Sequence, residues 1–395
     1  MEVKPGRILI IPSWYPPDGG YFFKEHSEAI QQAGWGVDVL VNRVVGFRKL
    51  MQAGLKALKG FRVGTENGLR VVRAVTLKIP GSERLNTRRW SRRTVKLYER
   101  YERACGKPGL ILAHSVTWAG YAAWLIRERH HVPYLIVEHR SYFVWSTPEA
   151  RKLVKPFHLP LYELAYRNCE QLVLVSGSLL TGLKALMPWI GEKITVIPNM
   201  IREEMFTLPE TPRGTRPFIF FWAGRLEHVK GVDLLLEAAR LLRSKTGEPF
   251  VVRLAGRGSL RTELEVQAGK TGLGGVVRFL GRITREEMQQ EYRAANCFVL
   301  PTRYEAFGAV LIEAMATGLP VIATRSGGPE QIVTRENGLL VDTENAAQLA
   351  GAMERVMMGY ETYSQEEISE QAMKNYGQTA VMARYGELFR QLLHD

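Results

Sequence analysis

Cysteine is scarce in this 395-residue chain: Cys105, Cys169 and Cys297 are far apart, odd in number and without a Cys-x-x-C pair. That pattern suggests neither a disulfide framework nor a zinc site, and leaves reduced thiols as the expected state. Asp-x-Asp and His-x-x-x-His are absent as well, so no familiar metal-holding pair is present. No metal and no cofactor is expected. Long apolar runs are also missing. Ile8–Ile11 is too short for a signal core and is broken by Pro12, and nothing nears the roughly 18 residues that span a bilayer. The expected location is the cytoplasm, dissolved or resting on a membrane surface. Low-complexity tracts and short repeats are lacking too.

Basic residues are plentiful, but only in one half. The net charge is +13. Residues 1–200 hold 30 Lys and Arg against 15 Asp and Glu, and the rest 23 against 25. Residues 43–107 alone carry 18 basic and 4 acidic side chains, so the excess is local and needs a local cause. In residues 44–63, Phe47, Leu50, Met51, Leu55, Leu58 and Phe61 recur at helical spacing between cations. Arg88 to Arg103 forms a second cluster with Trp90, Leu97, Tyr98 and Tyr101. Such mixtures fit interfacial helices on an anionic membrane. They fit equally two helices packed on a sheet with solvated basic faces. No nucleic-acid module appears.

Six short apolar runs lie in each half, from Ile8–Ile11 to Ile194–Ile197 and from Phe218–Trp222 to Leu339–Val341. Continuous runs of this length, separated by helix-sized stretches, predict parallel strands buried on both faces. The fold class is α/β, with two doubly wound domains in tandem. Pro198, Pro209, Pro212, Gly214 and Pro217 mark the linker between them. Open parallel sheets take ligands beyond the carboxyl ends of their strands. Two such edges facing each other would make one cleft, with a donor on one wall and an acceptor on the other.

Two stretches carry chemistry. In Arg303-Tyr-Glu-Ala-Phe-Gly-Ala-Val-Leu-Ile-Glu-Ala-Met-Ala-Thr-Gly-Leu-Pro320, Ala309–Thr317 reads as a helix ended by Gly318 and Pro320. Its start, near Gly308, Ala309 and Val310, offers amides to an anion. Glu305 before it and Glu313 within it can accept paired hydroxyls of a sugar or ribose. The plainer alternative makes Glu305 a helix cap and Glu313 a surface charge. The second stretch, Trp222-Ala-Gly-Arg-Leu-Glu-His-Val-Lys-Gly231, follows a strand and brings Arg225 and Lys230 to its end. Arg suits bidentate phosphate contact and Lys acts as a point charge. Both would stabilise a diphosphate that gains charge as it leaves. An ordinary loop with two surface cations is the alternative.

These stretches resemble the retaining nucleotide-sugar glycosyltransferases of family 4, which have the GT-B fold. The likeness rests on Gly224-Arg225…Lys230-Gly231, Glu305-x7-Glu313 and Ile197-Pro-Asn199, joined by Leu254-Ala-Gly-Arg-Gly258, Phe279-Leu-Gly281 and Ser326-Gly-Gly328. It implies two Rossmann-like domains facing across a cleft: residues 1–200 on the acceptor side, 201–375 for the nucleotide sugar, and a helix in 376–395 returning to the first. It implies that Arg225 and Lys230 hold the donor diphosphate and that Glu313 binds the donor ribose. Glu305 would contact sugar hydroxyls, with Phe307, Gly308, Ala309 and Val310 supplying nearby backbone. Gly256, Arg257 and Arg282 would lie near the base. Arg257 stands where the family usually has an acidic or polar residue, which leaves the base open among UDP-, GDP- and ADP-sugars. His139 matches the family's active-site histidine, though a satisfied histidine at a strand end is the alternative. His114 is a weaker candidate. Gly19 and Gly20 match a phosphate-approaching turn, and a plain turn explains them as well.

The implied reaction moves a hexosyl unit to an acceptor hydroxyl with retention, the acceptor being a lipid-linked or cell-surface glycan precursor. Rival readings are a nucleotide-sugar epimerase or phosphorylase on the same fold, and a non-catalytic membrane partner with a decayed transferase fold.

Overall fold

A computed structural model describes residues 6–17, 19–47, 60–144 and 148–394. The chain divides into two compact units, with the main break between Ile197 and Pro198. Met382 onward goes with unit 1, and Ser141–Arg151, assigned to the N-terminal domain from sequence, goes with unit 2.

Unit 1 is built on β1 (Ile8–Pro12), β2 (Val37–Val45), β3 (Arg62–Glu66), β4 (Leu69–Leu77), β5 (Leu110–His114), β6 (Tyr134–Glu138), β7 (Gln171–Leu174) and β8 (Ile194–Val196). Among the described residues they form one sheet in the order β3-β4-β2-β1-β5-β6-β7-β8. All neighbours are parallel except β3 and β4. Every residue of β1, β5 and β6 is buried, as helices covering both faces require. Asn67 and Gly68, at φ 50° and 82°, make the tight turn of the β3–β4 hairpin.

One sequence expectation is corrected here, and one of two open readings is met. The helix read over 44–63 fails at both ends, because Val44 and Val45 close β2 while Arg62 and Val63 open β3. Its centre, 48–59, lies outside the described residues. The second basic cluster is a helix, Glu83–Cys105, started by Ser82, whose hydroxyl accepts the Leu85 amide at 3.4 Å. Its aromatic residues do not face a lipid surface. Trp90, Tyr98 and Tyr101 are fully buried, and the Trp90 indole donates to the Asn42 carbonyl at 2.7 Å. Sheet packing claims the aromatic stripe, and cations such as Arg88, Arg92, Lys96 and Arg100 remain outward.

The last helix, Gln378–His394, packs its later turns within unit 1. Phe389 lies edge-on to Trp35 at 5.3 Å, and Tyr385 sits 4.7 Å from the ring of His26.

Unit 2 holds β9 (Phe218–Ala223), β10 (Phe250–Ala255), β11 (Val277–Gly281), β12 (Cys297–Leu300), β13 (Val321–Thr324) and β14 (Gly338–Val341). The order is β11-β10-β9-β12-β13-β14, with every pairing parallel. Phe220, Trp222, Leu235, Ala238, Val252 and Val299 anchor its core, each large side chain contributing about 1.5–3 kcal/mol by leaving water. Chain direction across the sheet reverses between β9 and β12. At such a switch point the loops after the two central strands splay apart and open a crevice for a ligand.

Candidate active site

The loops leaving β9 and β12 contain the residues singled out from sequence. After β9 the chain turns at Gly224, forms a 3-10 turn His228–Lys230, and enters the helix Val232–Lys245 through Gly231 at φ 63°. Gly231 has no substitute: a Cβ there would lie 1.9 Å from the Pro301 carbonyl oxygen. This contact presses the turn against the loop after β12. Arg303 locks the two together. Its backbone amide donates to the Val229 carbonyl at 2.9 Å, and its guanidinium donates to both Asp233 oxygens at 3.0 and 2.8 Å, to Glu344 and to the His228 carbonyl. Arg303 is buried. It orients the turn that carries Lys230, a role the sequence reading did not give it.

Lys230 Nζ donates to Glu305 Oε2 at 2.6 Å, with side chains 23% and 14% exposed. The two are thus brought together at the crevice, shielded enough that their charges are poorly screened. Glu305 is fixed by its backbone, its amide donating to the Ser326 carbonyl and its carbonyl accepting from Gly328. Phe307 packs so tightly on Gly328 that a Cβ there would lie 2.4 Å from the Phe307 Cα, which explains the Ser326-Gly-Gly sequence.

Glu305 does not cap the following helix. The cap position is Gly308 at φ 97°, which makes no side-chain cap hydrogen bond to the first turn of Ala309–Ala316. The amides of Ala309 and Val310 have no acceptor within the helix, and a positive pole stands beside Lys230 and Glu305. Glu313, one turn into this helix, is not a loose surface charge. Its side chain is 19% exposed, accepts the Tyr292 hydroxyl at 3.1 Å and lies 3.6 Å from Arg285.

The loop after β10 is packed onto the loop after β9. A Cβ on Gly256 would lie 1.7 Å from the Gly224 carbonyl oxygen. The Leu226 amide donates to the Arg257 carbonyl at 2.9 Å, and Glu227 accepts the Ser259 hydroxyl at 2.7 Å. Arg225 and Arg257 are exposed here, and Arg282 is exposed after β11.

Gly19, Gly20 and His139 belong to unit 1. Gly20, at φ 72°, would place a Cβ 2.4 Å from the Trp14 carbonyl, so local packing requires this glycine, whereas Gly19 at φ 116° has open space around it. His139 follows β6 and touches His114 at 3.1 Å; His114 touches His26 at 3.3 Å. Glu138 points away from them. It is fully buried and accepts from the amides of Val116, His139 and Arg140 and from the Tyr166 hydroxyl at 2.9–3.1 Å. His26 was missed from sequence, although Phe23, His26, Ser27 and Ile30 mark the buried face of the helix Tyr21–Gln32.

Burial pushes the pKa of His26 down to about 3. It pushes His114 well below its ordinary value too, with His26 and His139 adding to the effect. Both are neutral in the folded chain, while the unfolded chain protonates them near pH 6.5. Their contribution to stability is therefore complete above about pH 6.5 and is lost as pH falls from there, by up to about 1.4 kcal/mol per unit for each histidine. The melting temperature should drop from pH 7.5 to 5.5, and His26→Phe should flatten the drop. A variant profile parallel to that of the wild type would refute this.

Among the described residues, no group of three or more His, Cys, Asp or Glu is arranged to hold a metal ion, and no helix is long and apolar enough to cross a membrane.

Comparison with known proteins matches these units one by one. The profile "Glycosyltransferase Family 4" covers residues 20–204, and "Glycosyl transferases group 1" covers 206–377. The chain is 30% identical over 275 residues to the D-inositol 3-phosphate glycosyltransferase of Corynebacterium jeikeium, spanning 62% of this chain and 64% of that one. It is 31% identical over 194 residues to the glycogen synthase of Mycobacterium tuberculosis, spanning 48% and 46%. The chain thus spans less than two thirds of the length of these curated relatives. Among solved structures, sucrose-phosphate synthase from Thermosynechococcus elongatus superposes with a TM-score of 0.78 at 22% identity, covering 98% of this chain and 99% of that one. Anabaena HepE in complex with UDP superposes at 0.74 and 18%, covering 98% and 100%. The fold is GT-B, with two Rossmann-like units.

Proposed function

We propose that this chain, which belongs to the family 4 glycosyltransferases, moves a hexosyl unit from a nucleoside diphosphate sugar to an acceptor hydroxyl with retention of configuration. One observation carries the reading: Lys230, Glu305 and the uncapped helix start at Ala309 meet at the switch point of unit 2. A pyrophosphate fits there, with Lys230 and Arg225 as counter-charges and the amides of Ala309 and Val310 as donors. Glu313, held by Tyr292, is left to accept ribose hydroxyls.

In the proposed step the bond from the anomeric carbon to the phosphate oxygen breaks, and a bond from the acceptor oxygen forms on the same face. The acceptor proton goes to the departing phosphate oxygen. Negative charge growing on that phosphate is met by groups already in place, which lowers the barrier without reorganisation. The neighbour HepE binds UDP, which favours UDP among the candidate donors.

For the acceptor, unit 1 has a cavity of about 560 Å³ at the carboxyl ends of β1 and β2, lined in part by Ser13, Trp14, Asn42, Arg43, Lys78 and Trp118. Aromatic and hydroxyl groups suit a polyol, and Arg43 and Lys78 suit a phosphate on it, in keeping with the inositol phosphate named for the C. jeikeium relative. A lipid-linked phosphosugar has the same chemistry.

Ligand binding raises the melting temperature in proportion to the logarithm of concentration over Kd. In a panel of UDP, GDP and ADP with their sugars, one nucleotide series should stabilise the chain, and NMR of the product should show the donor's anomeric configuration. Stabilisation by none of the diphosphates, or an inverted product, would overturn the reading.

The exposed cations of the helix Glu83–Cys105 favour a peripheral membrane contact that is electrostatic alone, because its aromatics are buried. Each cation near an anionic leaflet contributes about 1 kcal/mol and is screened by salt. Flotation with anionic vesicles should succeed at low salt and fail at high salt. Recovery independent of both lipid charge and salt would count against it.

A further inference from the structure

His139 ends a row of three histidines drawn from three separate elements. His26 lies on the helix Tyr21–Gln32, His114 ends β5, and His139 follows β6. His26 Nδ1 lies 3.3 Å from His114 Nε2, and His114 Nδ1 lies 3.1 Å from His139 Nε2. His26 is 2% exposed and His114 is fully buried. Aromatic rings wall the row: Phe23 stacks on His114 at 4.4 Å, Phe22 meets His139 edge-on at 5.4 Å, and Tyr385 lies 4.7 Å from His26. Burial keeps His26 and His114 uncharged.

A neutral imidazole has one N–H and one bare nitrogen. Two consecutive hydrogen bonds through three such rings form only if all protons point the same way along the row. Two orders satisfy this. In the inward order His139 Nε2–H donates to His114, and His114 Nε2–H donates to His26. His26 must then carry its proton on Nε2, which is buried and has no hydrogen-bond partner. An orphaned buried N–H is rare and costly. In the outward order His26 Nδ1–H donates to His114 Nε2, and His114 Nδ1–H donates to His139 Nε2. Only a bare nitrogen is then left at the buried end.

We infer that His26 and His114 are positioning residues that hold His139 in its Nδ1-protonated form. His139 Nε2 is committed to accepting from His114, and His139 Nδ1 is the nitrogen that donates. The consequence for transfer rests on the reading that His139 is the active-site histidine the family resemblance implies. There an Nδ1–H donates to a sugar oxygen, whereas the opposite tautomer would present a bare nitrogen at that place. The helix Tyr21–Gln32 thereby sets the proton position of His139 through His114.

The test reads tautomers directly, with two-bond 1H–15N correlation spectra of the ligand-free full chain labelled at histidine. The expected result is Nδ1 protonation of His26, His114 and His139 at pH 7.5. His26→Asp puts a carboxylate acceptor where the first donor stood, so His114 should move its proton to Nε2 and His139 should follow. With that change kcat should fall about tenfold, the worth of one misdirected hydrogen bond, with donor KM little changed. His26→Asn, near-isosteric with Asp and with an amide nitrogen able to stand near the place of Nδ1, should restore both tautomer and kcat and guards against a packing defect in the Asp variant. An Nε2-protonated His139 in the wild type, or a His139 tautomer indifferent to His26→Asp, would overturn the inference. If the tautomers behave as expected while His139→Ala leaves kcat intact, the relay stands and the sugar-contact reading fails instead.

Discussion

Lys230→Ala is expected to lower kcat for sugar transfer by roughly 10²–10³-fold, the range found when one pre-placed charge or donor at a developing anion is removed. The size follows from where the ammonium sits. Arg303 and Gly231 fix the turn that carries it, and its side chain is only 23% exposed. A charge held there acts in a medium that screens it poorly, and it needs no rearrangement as the phosphate departs. Arg225 is exposed, so Arg225→Ala should cost less, about tenfold or a little more, as water screens its charge. Loss of Lys230 should fall mainly on kcat, because the diphosphate gains its extra charge in the transition state. Steady-state kinetics with circular dichroism as a folding control check this. Turnover within twofold of the wild type would remove Lys230 from the mechanism.

Gly256→Ala is expected to be the most damaging single-methyl change in unit 2. The added carbon would stand 1.7 Å from the Gly224 carbonyl oxygen at a φ of 149°. Overpacking of a well-filled interior costs about 1–3 kcal/mol, sometimes more. Here the obstructing atom is backbone, so no side-chain rotation relieves it, and the upper end of that range applies. The loops after β9 and β10 must separate, carrying Arg225 away from its place. A lower melting temperature and a higher donor KM should appear together. Gly214→Ala, at a position with open space around it, should change neither. A Gly256→Ala enzyme with wild-type melting and KM would show that the two loops do not act as one body.

Where the sequence could be read, it was read through apolar runs and loop motifs. Runs such as Phe218–Trp222 and Cys297–Leu300 became β9 and β12 because strands buried on both faces leave no other pattern. The motifs after them lie at the strand ends as the order of a doubly wound sheet demands. The β3–β4 hairpin was missed although Asn67-Gly68 is a strong turn signal. Its strands carry Arg62, Glu66, Arg70 and Arg73 without a strict two-residue alternation, so the strand period is weak there. Arg303 was passed over for a different reason. Its partners Asp233 and Glu344 lie 70 and 41 residues away, and no local spacing announces such a contact. The same holds for His26 and His114, which are 88 residues apart. Trp90, Tyr98 and Tyr101 left two readings open because an aromatic stripe among cations looks alike whether it faces lipid or a sheet.

The claim on which the account depends is that unit 2 grips a pyrophosphate at the β9–β12 switch point. Isothermal titration with a nucleoside diphosphate and the matching monophosphate tests it most directly. The diphosphate should bind at least tenfold more tightly to the wild type, and Lys230→Ala with Arg225→Ala should remove that advantage while leaving the monophosphate nearly unaffected. Equal affinity for the two nucleotides, or a diphosphate advantage that survives both substitutions, would contradict it.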